Sequence, residues 1–230
     1  MFRATGNLSK SMIKTQRRFL NLQKFQSKEI LEKHGCSLQK RSRIRRQGLN
    51  SRRRTWKRKV HQWNKRIGRV YITKEKNAAL EAIDEMIGKR LVAKQTTEQG
   101  IRVDKVMIAD GVDIERETHL AVLMDRESNG PVVVASSDGG MDFEEVAEKT
   151  PDRIFKTPID IQTGMTDGQA LKIVKDLQFE GNLLGAAATE IKRLYDLFTA
   201  VDATQVEINP LVETADGRVF CVDAKMNFDD

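Results

Sequence analysis

Cysteine is almost missing from this chain of 230 residues, which holds only Cys36 and Cys221. Two cysteines cannot make a disulfide framework and have no metal-ligand spacing, so a reducing intracellular compartment is expected. Long apolar runs are missing too. No stretch approaches the ~18 residues that a membrane-spanning helix needs, and 32% of the residues are charged. Acidic residues are absent from two stretches, Met1 to Lys28 and residues 40–69, and the second of these has only Gly48 and Gly68 for glycine. Elsewhere apolar periodicity is plain, which excludes general disorder, and the length suffices for one large domain or two small ones.

The formal charge of +7 would by itself suggest a nucleic-acid partner. Its distribution argues otherwise. Residues 40–69 carry 14 Lys and Arg and no acid, while the other 200 residues hold 26 basic and 33 acidic groups, a net of −7. The basicity belongs to one segment, which also contains both tryptophans, Trp56 and Trp63, and follows neither a two-residue nor a 3.6-residue period.

The acid-free leader, with Arg3, Lys10, Lys14, Arg17 and Arg18 among Ser and apolar residues, fits a mitochondrial transit peptide over residues 1–20 and hence the mitochondrial matrix. A disordered tail is the other reading. Asn21 can cap a helix from Leu22, with Gly35 as its stop. Strands are expected at Val70 to Thr73, Val103 to Ile108, His119 to Met124 and Pro131 to Ala135, the last two joined by an Asn129-Gly130 turn. Helices are expected over Ala78 to Ile87, Thr166 to Leu177 and Leu183 to Thr199. Gln205 to Val212 and Arg218 to Ala224 read as two strands about Ala215-Asp216-Gly217. Strands and helices mix without strict alternation, so the fold class is α+β rather than a doubly wound sheet.

The last hairpin carries the most chemistry. If residues 215–217 form its loop, Asn209 lies opposite Asp223 and Glu207 opposite Lys225. Strand alternation then puts these four on one face and Val206, Ile208 and Val222 on the other. An amide oxygen beside a carboxylate suits Mg²⁺, which takes a few hard oxygen ligands and leaves its other positions to water and phosphate. The pattern permits such a site without demanding it, since a solvated polar face on a hairpin is ordinary, and a bulge would slip the register.

These residues also carry a resemblance. Glu207-Ile208-Asn209-Pro210-Leu211 with Cys221-Val222-Asp223-Ala224-Lys225 resembles the metal-binding hairpin of succinyl-CoA synthetase β subunits, whose N-terminal half is an ATP-grasp fold. Asn21 to Lys28, Met86-Ile87-Gly88, Lys94-Gln95-Thr96, Leu123-Met124-Asp125-Arg126 and Gly139-Gly140-Met141 are similar to that family in its order. So are Leu194 to Phe198 and Asp202-Ala203-Thr204. The resemblance covers residues 21–39 and 70–230. It implies a mitochondrial ligase subunit that, with an α subunit, interconverts succinate and CoA with succinyl-CoA through a phosphohistidine on that α partner. By the same resemblance Asn209 and Asp223 hold Mg²⁺ and Glu207 steadies the phosphohistidine, although a Glu207–Lys225 ion pair would account for that carboxylate equally. Gln39 and Val112 match base-contacting positions, and the glutamine favours GTP and GDP over the adenine nucleotides. Asp138-Gly139-Gly140 lacks the strand-to-helix setting of a phosphate loop and reads as a turn.

Residues 40–69 depart from the family, which carries a nucleotide-contacting Lys and a glycine-rich stretch there. The segment reads as aberrant or disordered, such as a shifted frame or mis-spliced exon would give. The chain is therefore expected to hold a partial ATP-grasp domain over 21–230, to lack the family's flavodoxin-like second domain, and to have little ligase activity. A different class of function, nucleic-acid binding through the basic segment with Trp56 and Trp63 stacking on bases, is the alternative.

Overall fold

The computed structural model describes Leu22 and residues 24–45, 71–92, 99–140 and 150–229. In chain order its elements are α1 (Lys24–Lys33), β1 (Arg41–Arg45), α2 (Lys76–Met86), β2 (Arg90–Leu91), β3 (Ile101–Arg102), β4 (Lys105–Ala109) and β5 (Ile114–Asp125). There follow β6 (Gly130–Ser136), a 3-10 turn at Pro151–Arg153, β7 (Ile154–Pro158), α3 (Asp167–Asp176), α4 (Leu183–Ala200), β8 (Ala203–Thr214), β9 (Val219–Cys221) and β10 (Ala224–Phe228).

The main sheet is antiparallel and runs β10-β8-β5-β6-β7, with β9 also pairing β8. Alternation in its strands gives it two unlike faces. Leu120, Val122, Val133, Ala135, Val206, Ile208, Ala224 and Met226 join one core with Leu31 of α1, Ile173 of α3 and Leu194 of α4. The helical spacing of Ala187, Ile191, Leu194 and Phe198 turns one stripe of α4 into that core. Thr166 starts α3 with a capping box, its hydroxyl accepting from Gln169 N at 3.2 Å while Thr166 N donates to Gln169 Oε1 at 3.0 Å. A smaller cluster forms where Ile83 of α2 packs with Ile87, Val106 and Ile108.

The architecture is α+β, as expected. The hairpin register is also as read from the loop: Ile208 pairs Ala224, Glu207 pairs Lys225 and Leu211 pairs Cys221. Thr214 N donates to Arg218 O at 3.0 Å and closes the loop at Ala215-Asp216-Gly217.

Several expectations need correction. Residues 71–73 form no strand, and Val70 lies outside the described residues. The strand expected at Val103 to Ile108 begins at Lys105, because Val103 N is already bonded to Lys89 O at 2.9 Å, beside the β2–β3 pair. Strand β7 was not expected; it is an edge strand ending in Pro158, where proline costs the ladder nothing. The first part of the basic segment, expected to have no place in the fold, instead forms β1, whose Arg41 to Arg45 pair antiparallel with Ala109 to Lys105. Arg41 donates from Nη2 to Glu32 Oε2 at 2.6 Å and to Lys28 O at 2.9 Å. Residues 46–69 and the leader at 1–20 lie outside the described residues.

Candidate functional site

The face of the sheet turned away from α3 and α4 carries the polar residues of interest. At its centre β8 is irregular. Thr118 of β5 pairs Leu211 but Leu120 pairs Ile208, so β8 spends one extra residue at Asn209-Pro210. Across the hairpin the ladder breaks at Val222-Asp223, between β9 and β10. Asn209 N still donates to Asp223 O at 3.2 Å, and Val222 N to Pro210 O at 3.1 Å. The bulge lets both Ile208 and Leu211 bury completely while Asn209 stays half-buried at the surface. Val222, expected among the buried face residues, is only half-buried at this break.

Three further segments converge there. Gly139 N donates to Glu117 O at 3.1 Å, and a Cβ on Gly139 would lie 2.6 Å from the Glu117 carbonyl carbon, so only glycine fits this approach to β5. Gly140, at φ +75, follows and donates its N–H to Asn209 Oδ1 at 2.9 Å. Its Cα lies against the Glu117 carboxylate, whose pKa is raised by burial. From the other side α1 brings Lys24, whose ammonium pairs with Asp223 Oδ2, and the buried Lys28. Burial lowers the Lys28 pKa, and Asp223 is the largest influence opposing it. Asp223 Oδ1 is held by the first residue of β10, accepting from Ala224 N at 3.1 Å.

Glu207 sits two residues before Asn209 on the same face. Its Oε1 lies 3.4 Å from His119 Nε2, its Oε2 accepts from Gln205 Nε2 at 3.3 Å, and Lys225 Nζ is 3.8 Å away. The His119 contact lowers its pKa, with His119 and Lys225 charges assisting and burial opposing. Both the ion pair to Lys225 and a role toward a ligand remain compatible with a side chain 19% exposed.

The structure thus brings Glu207, Asn209 and Asp223 together. Gln39, between α1 and β1, and Val112, between β4 and β5, lie apart from these three. Asp110 N donates to Lys40 O at 2.8 Å, which sets the half-buried Gln39 beside the loop that carries Val112. Cys221 N donates to Ser37 O at 2.9 Å and ties this segment to β9. Val112 lines a cavity of about 300 Å³ with Gly111 and Asp113 on one wall and Ala215, Asp216 and Arg218 on the other; Gln39 is not in its lining.

The donor chemistry fits Mg²⁺. Asn209 offers an amide oxygen, which accepts from Gly140 N, and Asp223 offers a carboxylate, both hard oxygens. Among the described residues no group of three or more His, Cys, Asp or Glu side chains is placed to hold a metal ion by itself. Sequence reasoning missed Lys24, Lys28, Glu117 and His119. The four-residue spacing of Lys24 and Lys28 was a signal that they share a helix face, but nothing local said which acid they would meet.

The sequence profile of the ATP-grasp domain family matches residues 21–213. Over its full length the chain is 72% identical to the mitochondrial GDP-forming succinate–CoA ligase β subunit of Caenorhabditis elegans, covering 60% of that protein. It is 43% identical to the Homo sapiens protein of the same description, again over its full length and over 56% of the relative. A solved structure of dinucleotide-forming acetyl-coenzyme A synthetase 1 from Ca. Korarchaeum cryptofilum, with coenzyme A, acetyl-coenzyme A and a phosphorylated phosphohistidine segment, matches with a TM-score of 0.62. Its identity is 14%, over 91% of this chain and 93% of that one, so the likeness is one of fold. The chain spans between 40% and 60% of the length of the curated relatives it matches.

Proposed function

This chain belongs to the ATP-grasp domain family, and from that premise we propose that it is the nucleotide-binding part of a succinate–CoA ligase β subunit. The reaction is the interconversion of succinate, CoA and nucleoside triphosphate with succinyl-CoA, phosphate and nucleoside diphosphate in the tricarboxylic acid cycle, through a phosphohistidine on an α partner. GTP and GDP are the favoured nucleotides, and the mitochondrial matrix is the compartment. The single observation that carries this reading is the hairpin register, which holds Asn209 opposite Asp223 on the face that also bears Glu207. The similarity to the Caenorhabditis elegans and human subunits supports the choice of ligase and nucleotide.

In this reading Asn209 and Asp223 hold Mg²⁺, which neutralises charge on the nucleotide phosphates. The remaining work falls to the chain itself. The bulge and the Gly140 N–H fix the Asn209 amide so that its oxygen is pre-oriented. His119 and Gln205 hold the Glu207 carboxylate, which stays ionised and offers a counter-charge to an imidazole presented by the partner. Gln39 and Val112 contact the base, the amide supplying a donor and an acceptor to the purine edge.

The domain organisation is part of the proposal: a leader over 1–20, and a partial ATP-grasp domain over 21–230 whose segment 40–69 has no glycine-rich sequence for a phosphate cradle. Bare backbone N–H groups need glycine to approach phosphate closely, and Gly48 and Gly68 alone do not provide a loop of them. Nucleotide affinity and ligase turnover are therefore low beside those of a subunit with that loop. No observation on the described residues and no comparison favours nucleic-acid binding.

Titration of a fluorescent GDP analogue with and without Mg²⁺ tests the reading. Mg²⁺-dependent binding that disappears in Asp223→Ala and weakens at least tenfold in Asn209→Ala is expected. Binding indifferent to Mg²⁺ and to both substitutions would overturn it. Succinyl-CoA formation with added α subunit, measured with GTP and with ATP, tests the nucleotide and the low turnover.

A further inference from the structure

Lys24 opens α1, and that helix has no acidic residue in its first turn. A cation at a helix N-terminus faces the positive end of the backbone dipole, an unfavourable place that ordinary helix energetics do not select. What Lys24 does have there is Asp223. Its ammonium pairs with Oδ2, the carboxylate oxygen not bonded to the backbone, since Oδ1 accepts from Ala224 N. One turn further on, Lys28 is buried and also faces Asp223, so the carboxylate already lies in the field of two ammonium groups. The Lys24 side chain is 60% exposed and Asp223 32% exposed, which leaves Lys24 free to swing into solvent while Asp223 stays held by its Oδ1 bond to Ala224 N.

We propose that Lys24 is the internal counter-ion of Asp223 and lowers the affinity of the cation site, because its ammonium must leave Oδ2 before a divalent cation can bind there. The inference rests on Asp223 as a cation ligand, as proposed above. The lysine and the metal ion are then mutually exclusive at one oxygen, and removing the lysine must tighten cation binding by whatever the ion pair is worth.

The test is titration of the 230-residue chain with Mn²⁺ alone, the free ion counted by its paramagnetic resonance signal, with no nucleotide present. Lys24→Met is expected to bind Mn²⁺ roughly two- to fivefold more tightly than the wild type, the range set by exposed ion pairs. Lys24→Arg, which keeps the charge, is expected to stay near the wild type. The gap between Lys24→Met and the wild type narrows as KCl is raised and the pair is screened. Lys24→Gln is measured alongside, so that a loss of folding in the methionine variant leaves the comparison intact. Equal or weaker Mn²⁺ binding in both neutral variants overturns the proposal. Asp223→Asn separates the two readings. If it loses Mn²⁺ binding while the neutral Lys24 variants match the wild type, only the counter-ion role falls; if it binds Mn²⁺ like the wild type, the cation site itself falls.

Discussion

Asn209 and Asp223 face each other across a hairpin at the one place where its ladder is broken on both sides. Asn209 N donates to Asp223 O at 3.2 Å, β8 bulges against β5 at that residue, and β9 gives way to β10 opposite it. The paired irregularities leave Asn209 and Asp223 half-buried at the surface while Ile208, Leu211 and Ala224 beside them are buried. The geometry of the proposed cation site is therefore a property of strand pairing.

The first prediction concerns Gly139, which is the reason Gly140 reaches Asn209. A methyl group there meets the backbone of Glu117 and Thr118, which cannot move aside without disturbing the centre of the sheet. Gly139→Ala is expected to cost about 1–3 kcal/mol by overpacking and to weaken Mg²⁺-dependent GDP binding beyond what the stability loss explains. Urea unfolding together with nucleotide titration below the transition checks this. Wild-type values in both would show that the loop is not held against β5.

Arg116 joins the two halves of the core that support the site. Its guanidinium donates to Leu177 O at 2.5 Å and Gln178 O at 3.0 Å at the end of α3, pairs with Glu213 of β8 at 3.0 Å, and lies 4.7 Å from the Phe179 ring centroid. Arg116→Lys keeps the charge but loses the planar fork and the stacking, so a loss of about 1–2 kcal/mol is expected even for this conservative change. Arg116→Ala should cost more, because the carbonyls ending α3 lose their donor. Thermal unfolding of the two variants ranks them.

Thr166 offers a cleaner local test. Its hydroxyl accepts from Gln169 N, and Gln169 Oε1 accepts in return from Thr166 N. Thr166→Ala is expected to lower stability by about 1 kcal/mol, with nucleotide and cation binding untouched, since α3 lies on the opposite face of the sheet from Asn209. A change in cation affinity in this variant would mean that the two faces are coupled.

How much of this was legible in the sequence depends on the range of the interaction. The register of β8 with β9 and β10 could be read because a three-residue loop with glycine at its end, Gly217 at φ +73, fixes which residues oppose each other. The α4 stripe could be read because helical spacing repeats over many residues. The bulge at Asn209-Pro210 could not be, because it is defined against β5, whose pairing with β8 is set by no local signal. Strand β1 escaped because backbone pairing with β4 is indifferent to side-chain pattern, and Arg-Ser-Arg-Ile-Arg carries no apolar alternation strong enough to mark it. Lys24 and Asp223 sit near opposite ends of the chain, so their ion pair is a product of the fold alone.

The two thiols provide the pH-dependent prediction. Cys36 and Cys221 are both buried beside Glu190, whose carboxylate also accepts from Ser37 N at 2.7 Å and from Cys221 Sγ at 3.3 Å. Burial first, then the Glu190 charge, pushes the Cys36 thiol up to about 12 from an ordinary value of 9.0 and raises Cys221 well above that value. A raised acid pKa means that the folded chain holds protons which the unfolded chain releases. Below about pH 9 both states are protonated and the difference costs nothing; as pH rises through the unfolded value toward 12 the unfolded state alone ionises, and stability falls. The native protein at pH 8 is therefore expected to react slowly with a thiol-specific disulfide reagent, and both thiols to react at once in denaturant. Unfolding midpoints are expected to decline above pH 9 and to decline less in Cys36→Ser/Cys221→Ser, compared as slopes against pH so that the cost of the substitutions themselves cancels. Rapid reaction of both thiols in the native chain, or identical slopes in the two proteins, would show that the Glu190 pocket is open to solvent.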